Sequence, residues 1–201
     1  MKLIRPRLTD HHNISCTQSE VDFAIPFLDE DIPLYVDPFL LWKSPSLQDN
    51  ALHTALLNSF NNLGARIKNG EDEQVKQDLI RASECDEVGL GLSKTRSGQR
   101  ITAEQAERVV GVFRSIPQYS KYGFSHFEEI QLYVDGIAKD RISDFTCNFL
   151  KSFLIDFTID QCQRLGVPTS SSHVDLYDYR KNKFIYDCSV DLPIHPTELK
   201  P

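Results

Sequence analysis

Apolar residues recur at three- and four-residue steps along much of this chain, most densely between Ser125 and Leu165. Phe127, Ile130, Val134, Ile137 and Ala138 form one series; Ile142, Phe145, Phe149, Phe153 and Phe157 form a second. Such spacing marks the buried face of an α-helix. Ser125 with Glu128 has the spacing of a capping box, in which hydroxyl and carboxylate each satisfy a free amide of the first turn. Gly136 and the cluster Lys139-Asp140-Arg141 separate the two series, and Asp140 or Ser143 suits the cap of a second helix. The pattern predicts either one long, kinked helix or two helices in a tight corner. Gly166 and Pro168 end it, because proline cannot continue a helix. The rest of the chain is expected to pack around this Phe-rich stretch.

Upstream, Val21 to Leu28 and Ile32 to Val36 are short runs rich in β-formers. Pro26 and Pro33 confine them to edge strands or irregular extended structure. A helix is predicted within 44–70, opened by Ser46 and Asp49 and carrying Ala51, Leu52, Ala55, Leu56, Phe60 and Leu63 at helical spacing. A second, over 71–84, begins in acids, which suit the positive end of a helix dipole. Its narrow stripe of Val75, Leu79, Ile80 and Ala82 places it on the outside. A third spans 103–115, capped by Thr102 and closed by Pro117, with Ala106, Val109, Val110 and Phe113 inside. After Gly166 the pattern alternates instead. His173 to Tyr179 and Lys183 to Val190 flank the turn Arg180-Lys181-Asn182, a hairpin.

The expected fold is α+β and mainly helical, with about five helices around the long central one, short N-terminal strands and a C-terminal β-hairpin. One domain is expected over 1–201. Residues 1–20 read as a polar lead-in, 21–168 as the main body, and 169–201 as a linker, the hairpin and a Pro-rich end. The chain stops on T-E-L-K-P with no helix or cap, as a piece of a longer protein would.

Composition narrows the classes. With 201 residues, 40% hydrophobic, and 12 Phe, the chain can bury a sizeable core. A formal net charge of −7 argues against nucleic-acid binding by bulk charge, which needs Lys and Arg to neutralise phosphates. A local basic patch stays compatible with it. No run approaches the roughly eighteen apolar residues of a membrane helix, and no apolar run of signal-peptide length follows the basic N-terminus. Cys16, Cys85, Cys147, Cys162 and Cys188 are odd in number and contain no C-x-x-C, which fits reduced thiols in a soluble, cytoplasmic protein. Cys147 and Cys162 lie within Phe- and Leu-rich patterns, as buried inert thiols do.

The candidate chemistry lies in two places. On a continuous helix at about 100° per residue, His126, Glu129, Tyr133, Asp140 and Asp144 fall within roughly a 60° sector. Asp140 and Asp144, four apart, share a side wherever the helix breaks. Their repulsion is offset by Lys139 or Arg141, or by a divalent cation such as Mg²⁺ or Mn²⁺, which prefers hard oxygen ligands. Asp37, held extended before Pro38, is a further candidate ligand; the position equally suits a helix cap or Asx turn. The second place is the segment 88–100, where Gly89, Gly91 and Gly98 accompany Lys94, Arg96 and Arg100. Glycine-permitted amides and cations together hold phosphate. It is not a Walker A loop, since Ser93 precedes Lys94, nor a dinucleotide fingerprint, since Lys94 replaces the third glycine.

Two functions follow. One is a metal-dependent phosphohydrolase or nuclease. In it Glu129, Asp140, Asp144 and Asp37 are metal ligands, His126 is a ligand or general base, and Lys94, Arg96 and Arg100 clamp the phosphate. It requires loop and acids to converge. The other is a non-catalytic interaction or regulatory subunit, in which the acidic stripe is only a solvated helix face. It would bind a protein partner or a second copy and show a large exposed apolar patch.

Overall fold

Helix α3 (Leu47–Lys68) is the axis of the structure, rather than the 125–165 stretch. The Ser46 hydroxyl accepts from the Asp49 amide at 3.3 Å and starts it. Leu56, Phe60, Leu63 and Ile67 recur along one face and are buried. The Phe60 ring meets Phe127 at 4.6 Å, Phe124 at 5.3 Å, Phe113 at 5.5 Å and Phe149 at 6.4 Å between centroids. Those rings come from four other segments, so one side chain on α3 joins most of the core.

The computed structural model describes residues 5–92 and 98–194. It is α+β and mainly helical. Besides α3 there are α1 (Leu8–His11), α2 (Pro38–Lys43), α4 (Asp72–Ala82), α5 (Ala103–Ser115), α6 (Pro117–Tyr122), α7 (Lys139–Phe149) and α8 (Lys151–Leu165). Strands β1 (Ser170–Asp178) and β2 (Lys183–Leu192) follow. The five helices of more than ten residues answer to the five expected. Among the described residues, no helix is long and apolar enough to cross a membrane.

The stretch expected to form the central helix is three elements. Phe127–Leu132 is a 3₁₀ turn, opened one residue later than anticipated: the His126 amide donates to Glu129 Oε1 at 2.8 Å. Gly136, at φ +82°, then turns the chain in a conformation that side chains resist. Helix α7 begins only after Ala138. A second break falls at Leu150, which caps both α7 and α8 with φ −97° and ψ 8°. Neither glycine nor proline marks that corner. Of the second apolar series, Ile142, Phe145 and Phe149 are buried, whereas Phe153 and Phe157 on α8 are half-exposed.

The hairpin pairs Ser170 with Leu192 and Asp178 with Lys183. Tyr177 and Phe184 carry it into the main core against Phe149, at 5.1 and 5.4 Å. The N-terminal runs make isolated bridges, Arg7 with Phe27 and Ile32 with Leu90, instead of named strands. Prolines 26 and 33 lack the amides that a ladder needs. A buried ion pair also ties α3 to α4: Arg66 Nη1 donates to Asp78 Oδ2 at 2.7 Å. Asp78, 1% exposed, accepts further from Gln74 and from the Tyr186 hydroxyl of β2.

Phe60→Ala is expected to lower the unfolding free energy by about 3–5 kcal/mol, the cost of deleting a fully buried ring. Phe153→Ala should cost less than half of that. Urea denaturation of both variants checks the ranking, and equal costs would restore the 125–165 stretch as the axis.

Candidate functional site

The break at Gly136 dissolves the acidic stripe read from one continuous helix. His126 packs its ring against Trp42 at 4.8 Å, Phe39 at 5.6 Å and His53 at 6.0 Å. Burial and the nearness of His126 hold His53 below the ordinary imidazole range. Glu129 closes the capping box at the His126 amide. Asp37 caps α2 by accepting from the Phe39 amide at 3.0 Å, one of the uses its position allowed. Asp140 stays exposed, 3.8 Å from Arg141 Nη2. Asp144 alone turns inward. Among the described residues, no three or more His, Cys, Asp or Glu side chains are grouped to hold a metal ion. Lys94 and Arg96 lie outside the described residues.

Asp144 lies behind a charged cleft where the segment after α4 crosses α7, and Arg141 joins it to Glu84 on the cleft wall. Asn148 is central to its construction. Its amide nitrogen donates to the carbonyls of Ala82 and Glu84, each at 2.9 Å, and of Asp144 at 3.1 Å. The carbonyl end of α4, which lacks intrahelical partners, is thereby fastened to α7. Ser83 pins both ends of the following excursion: its hydroxyl donates to Ile80 O at 2.8 Å and accepts from the Ile101 amide at 2.9 Å.

Inside this frame, one guanidinium serves two carboxylates. Arg141 Nη1 lies 3.2 Å from Glu84 Oε2 and 3.0 Å from Asp144 Oδ2. Lys151, 5% exposed, reaches Glu87 Oε2 at 2.8 Å. Arg100 Nη2 meets Asp86 at 2.9 Å on the rim. Glu84, Asp86, Arg100, Asn148, Lys151 and Asp175 share the lining of a space of about 180 Å³. An ideal Cβ on Gly98 would fall 2.1 Å from Glu84 Oε2. Glycine lets the end of the basic segment lie against that acid without displacing the Glu84 carboxylate. The structure thus brings the Gly98–Arg100 end of the loop against Glu84 and Asp86, and Arg141 links Glu84 to Asp144.

Burial raises the Asp144 carboxyl to about 7; the neighbouring Glu84 adds to this, and Arg141 offsets it only in part. Glu84 is raised too, again chiefly by burial. The geometry explains why Arg141 does not win: its charge is divided among Glu84, Asp144 and Asp140. Burial likewise raises the Cys147 thiol to about 12 and the Cys85 thiol well above its usual range, so both are inert at neutral pH. Sequence reasoning missed Glu84, Asn148 and Lys151. Arg141, Asp144 and Asn148 sit at i, i+3 and i+7 of one helix, which was a readable signal. Glu84, 57 residues from Arg141, carried none.

A family model described as "Domain of unknown function (DUF8370)" matches residues 13–200, the whole of this cleft included. The chain belongs to that family. No curated protein and no solved structure matches the chain.

Asp144 keeps a proton in the folded state that the unfolded chain releases near the ordinary value of 3.8. The unfolded state therefore binds fewer protons between pH 4 and about 7, and stability must fall with rising pH across that window, then level off. Glu84 acts in the same direction. Asp144→Asn is expected to flatten this slope in urea denaturations run from pH 4 to pH 8. An unchanged slope would locate the proton elsewhere.

Proposed function

We propose that the cleft is an acid–base site for a phosphate-bearing substrate, and that the protein hydrolyses phosphate esters, a nuclease being one form of that activity. The observation that supports this is the approach of the Gly98–Arg100 end of the basic loop to Glu84, which shares Arg141 with Asp144, the carboxyl that titrates near neutrality. A general acid or base works best with a pKa near the operating pH, and clefts that shift a carboxyl this far are candidate functional sites. Asp144 is the proton carrier, Glu84 its neighbour, and Arg141 the group that orients both.

Magnitudes divide the cations. The Arg100–Asp86 pair is half-exposed, so it is worth about 0–1 kcal/mol and yields readily to a phosphate. Arg141 and Lys151 are buried against their acids and serve the frame. Mg²⁺ or Mn²⁺, if it takes part, would be held by Glu84 or Asp86 on the cleft wall together with the substrate, and would supply positive charge at the phosphate. All five cysteines are free thiols, which supports a cytoplasmic location.

The test is hydrolysis of p-nitrophenyl phosphate, its bis-ester and single- and double-stranded oligonucleotides, each with and without Mg²⁺ or Mn²⁺. Asp144→Asn should lower the rate by about 10²–10⁴-fold, and Arg100→Ala should act mainly on KM. No turnover of any of these, or an Asp144→Asn variant as active as the parent, rejects the proposal.

One observation favours a second reading, an interaction subunit. Phe39, Leu40, Trp42 and Leu47 are 39, 65, 41 and 90% exposed on α2 and the start of α3, with Lys43 Nζ 4.1 Å above the Trp42 ring. Contiguous apolar surface of this kind marks association. Sedimentation of the full chain and of Leu40→Glu/Leu47→Glu should show a concentration-dependent dimer in the parent alone. A monomer at all concentrations removes the self-association form of this reading.

A further inference from the structure

A second space, of about 360 Å³ and partly open to solvent, lies between the N-terminal segment and α8, and its wall is mainly apolar. Leu8 and Phe27 face it from the N-terminal side, Val88 and Leu90 from the segment after α4, and Leu154 and Phe157 from α8. Protein interiors are close-packed and leave few voids larger than a water molecule, so a gap of this size is an exception. Its volume falls within the range of about 300–1,000 Å³ typical of small-molecule sites. Water is a poor occupant, because apolar cavities stay dry.

Shape and one polar atom restrict the guest. The wall follows α8 from Leu154 to Leu165, about 16 Å of helix, whereas a sphere of the same volume would be about 9 Å across. The space is drawn out along the helix. Gln161 also lines the cavity, and its Oε1 is buried without a hydrogen-bond partner. Such an acceptor carries its full desolvation cost until a donor reaches it.

We propose that this cavity binds an aliphatic chain that ends in a hydrogen-bond donor, the donor resting on Gln161 Oε1. The hydrocarbon fills the drawn-out space, and the terminal O–H or N–H completes the side-chain acceptor that has no partner among the described residues. The site is independent of the acid–base reading of the charged cleft.

The test compares 1-decanol with decyl methyl ether, which has the same alkyl chain but no donor, by isothermal titration and thermal shift on the full chain. Decanol should bind and raise the midpoint with concentration, and the ether should bind roughly three- to tenfold more weakly, the worth of one hydrogen bond. Gln161→Leu should bind both equally. Cys162→Phe, which fills the cavity, should bind neither; should that variant fail to fold, the Gln161→Leu comparison decides alone. Three results overturn the proposal: no binding of decanol, an alcohol preference that survives Gln161→Leu, or a dimer that decanol dissociates, which would place a second copy in the cavity.

Discussion

Phe60 packs edge-on against Phe127, with 82° between the rings, and at a tilt against Phe113 and Phe124. Edge-to-face and tilted arrangements suit the aromatic quadrupole, so the cluster has orientation as well as bulk. One turn further along α3, an ideal Cβ on Gly64 would stand 2.5 Å from the Phe113 ring; glycine there lets α5 lie close. Through Phe127 and Phe149 the same ring sets the heights of the 3₁₀ turn and of α7. The position of α7 in turn decides that Asn148 meets the carbonyl end of α4. The cleft is therefore a consequence of packing around one side chain some distance from it.

The helical elements were legible because period and caps agree. Ser46, Thr102 and Gly166 each mark an end where the structure has one. What a linear pattern does not carry is which helix lies at the centre. The Phe spacing of 142–157 looks uniform, yet its first half is buried and its second half borders solvent, because the corner at Leu150 redirects the chain. Asp37 had two local uses, and the nearest unsatisfied amide took it. Asp144 was legible through its four-residue spacing from Asp140. Glu84 closed a polar helix and looked like its frayed end, and only the tertiary crossing makes it Asp144's neighbour.

Electrostatically, the cleft is a case of too few cations for its depth. A buried carboxylate is stable as an anion only when its partners restore what water supplied. Asn148 spends its donors on carbonyls and Arg141 is divided, so the pair Glu84–Asp144 retains a proton where isolated carboxylates would have lost theirs. The overall charge of −7 says nothing of this local balance. That explains why composition alone pointed away from the one region where basic residues and acids meet.

The N-terminal segment that borders the apolar cavity is clipped to itself, Leu8 N to Pro26 O at 3.1 Å and Leu28 N to Pro6 O at 3.0 Å, with the Arg7 guanidinium 4.7 Å from the centre of the Phe27 ring. None of these bonds involves the Phe60 cluster. Ile32 joins the same segment to Gly89 and Gly91, and the Val36 amide donates to Ser143 Oγ on α7 at 2.9 Å, so the segment is tied to the body of the fold as well as to itself. The space beneath it is partly open to solvent, so entry needs no peeling of the segment. Different guests would enter at a common rate, and selectivity would reside in how long each one stays.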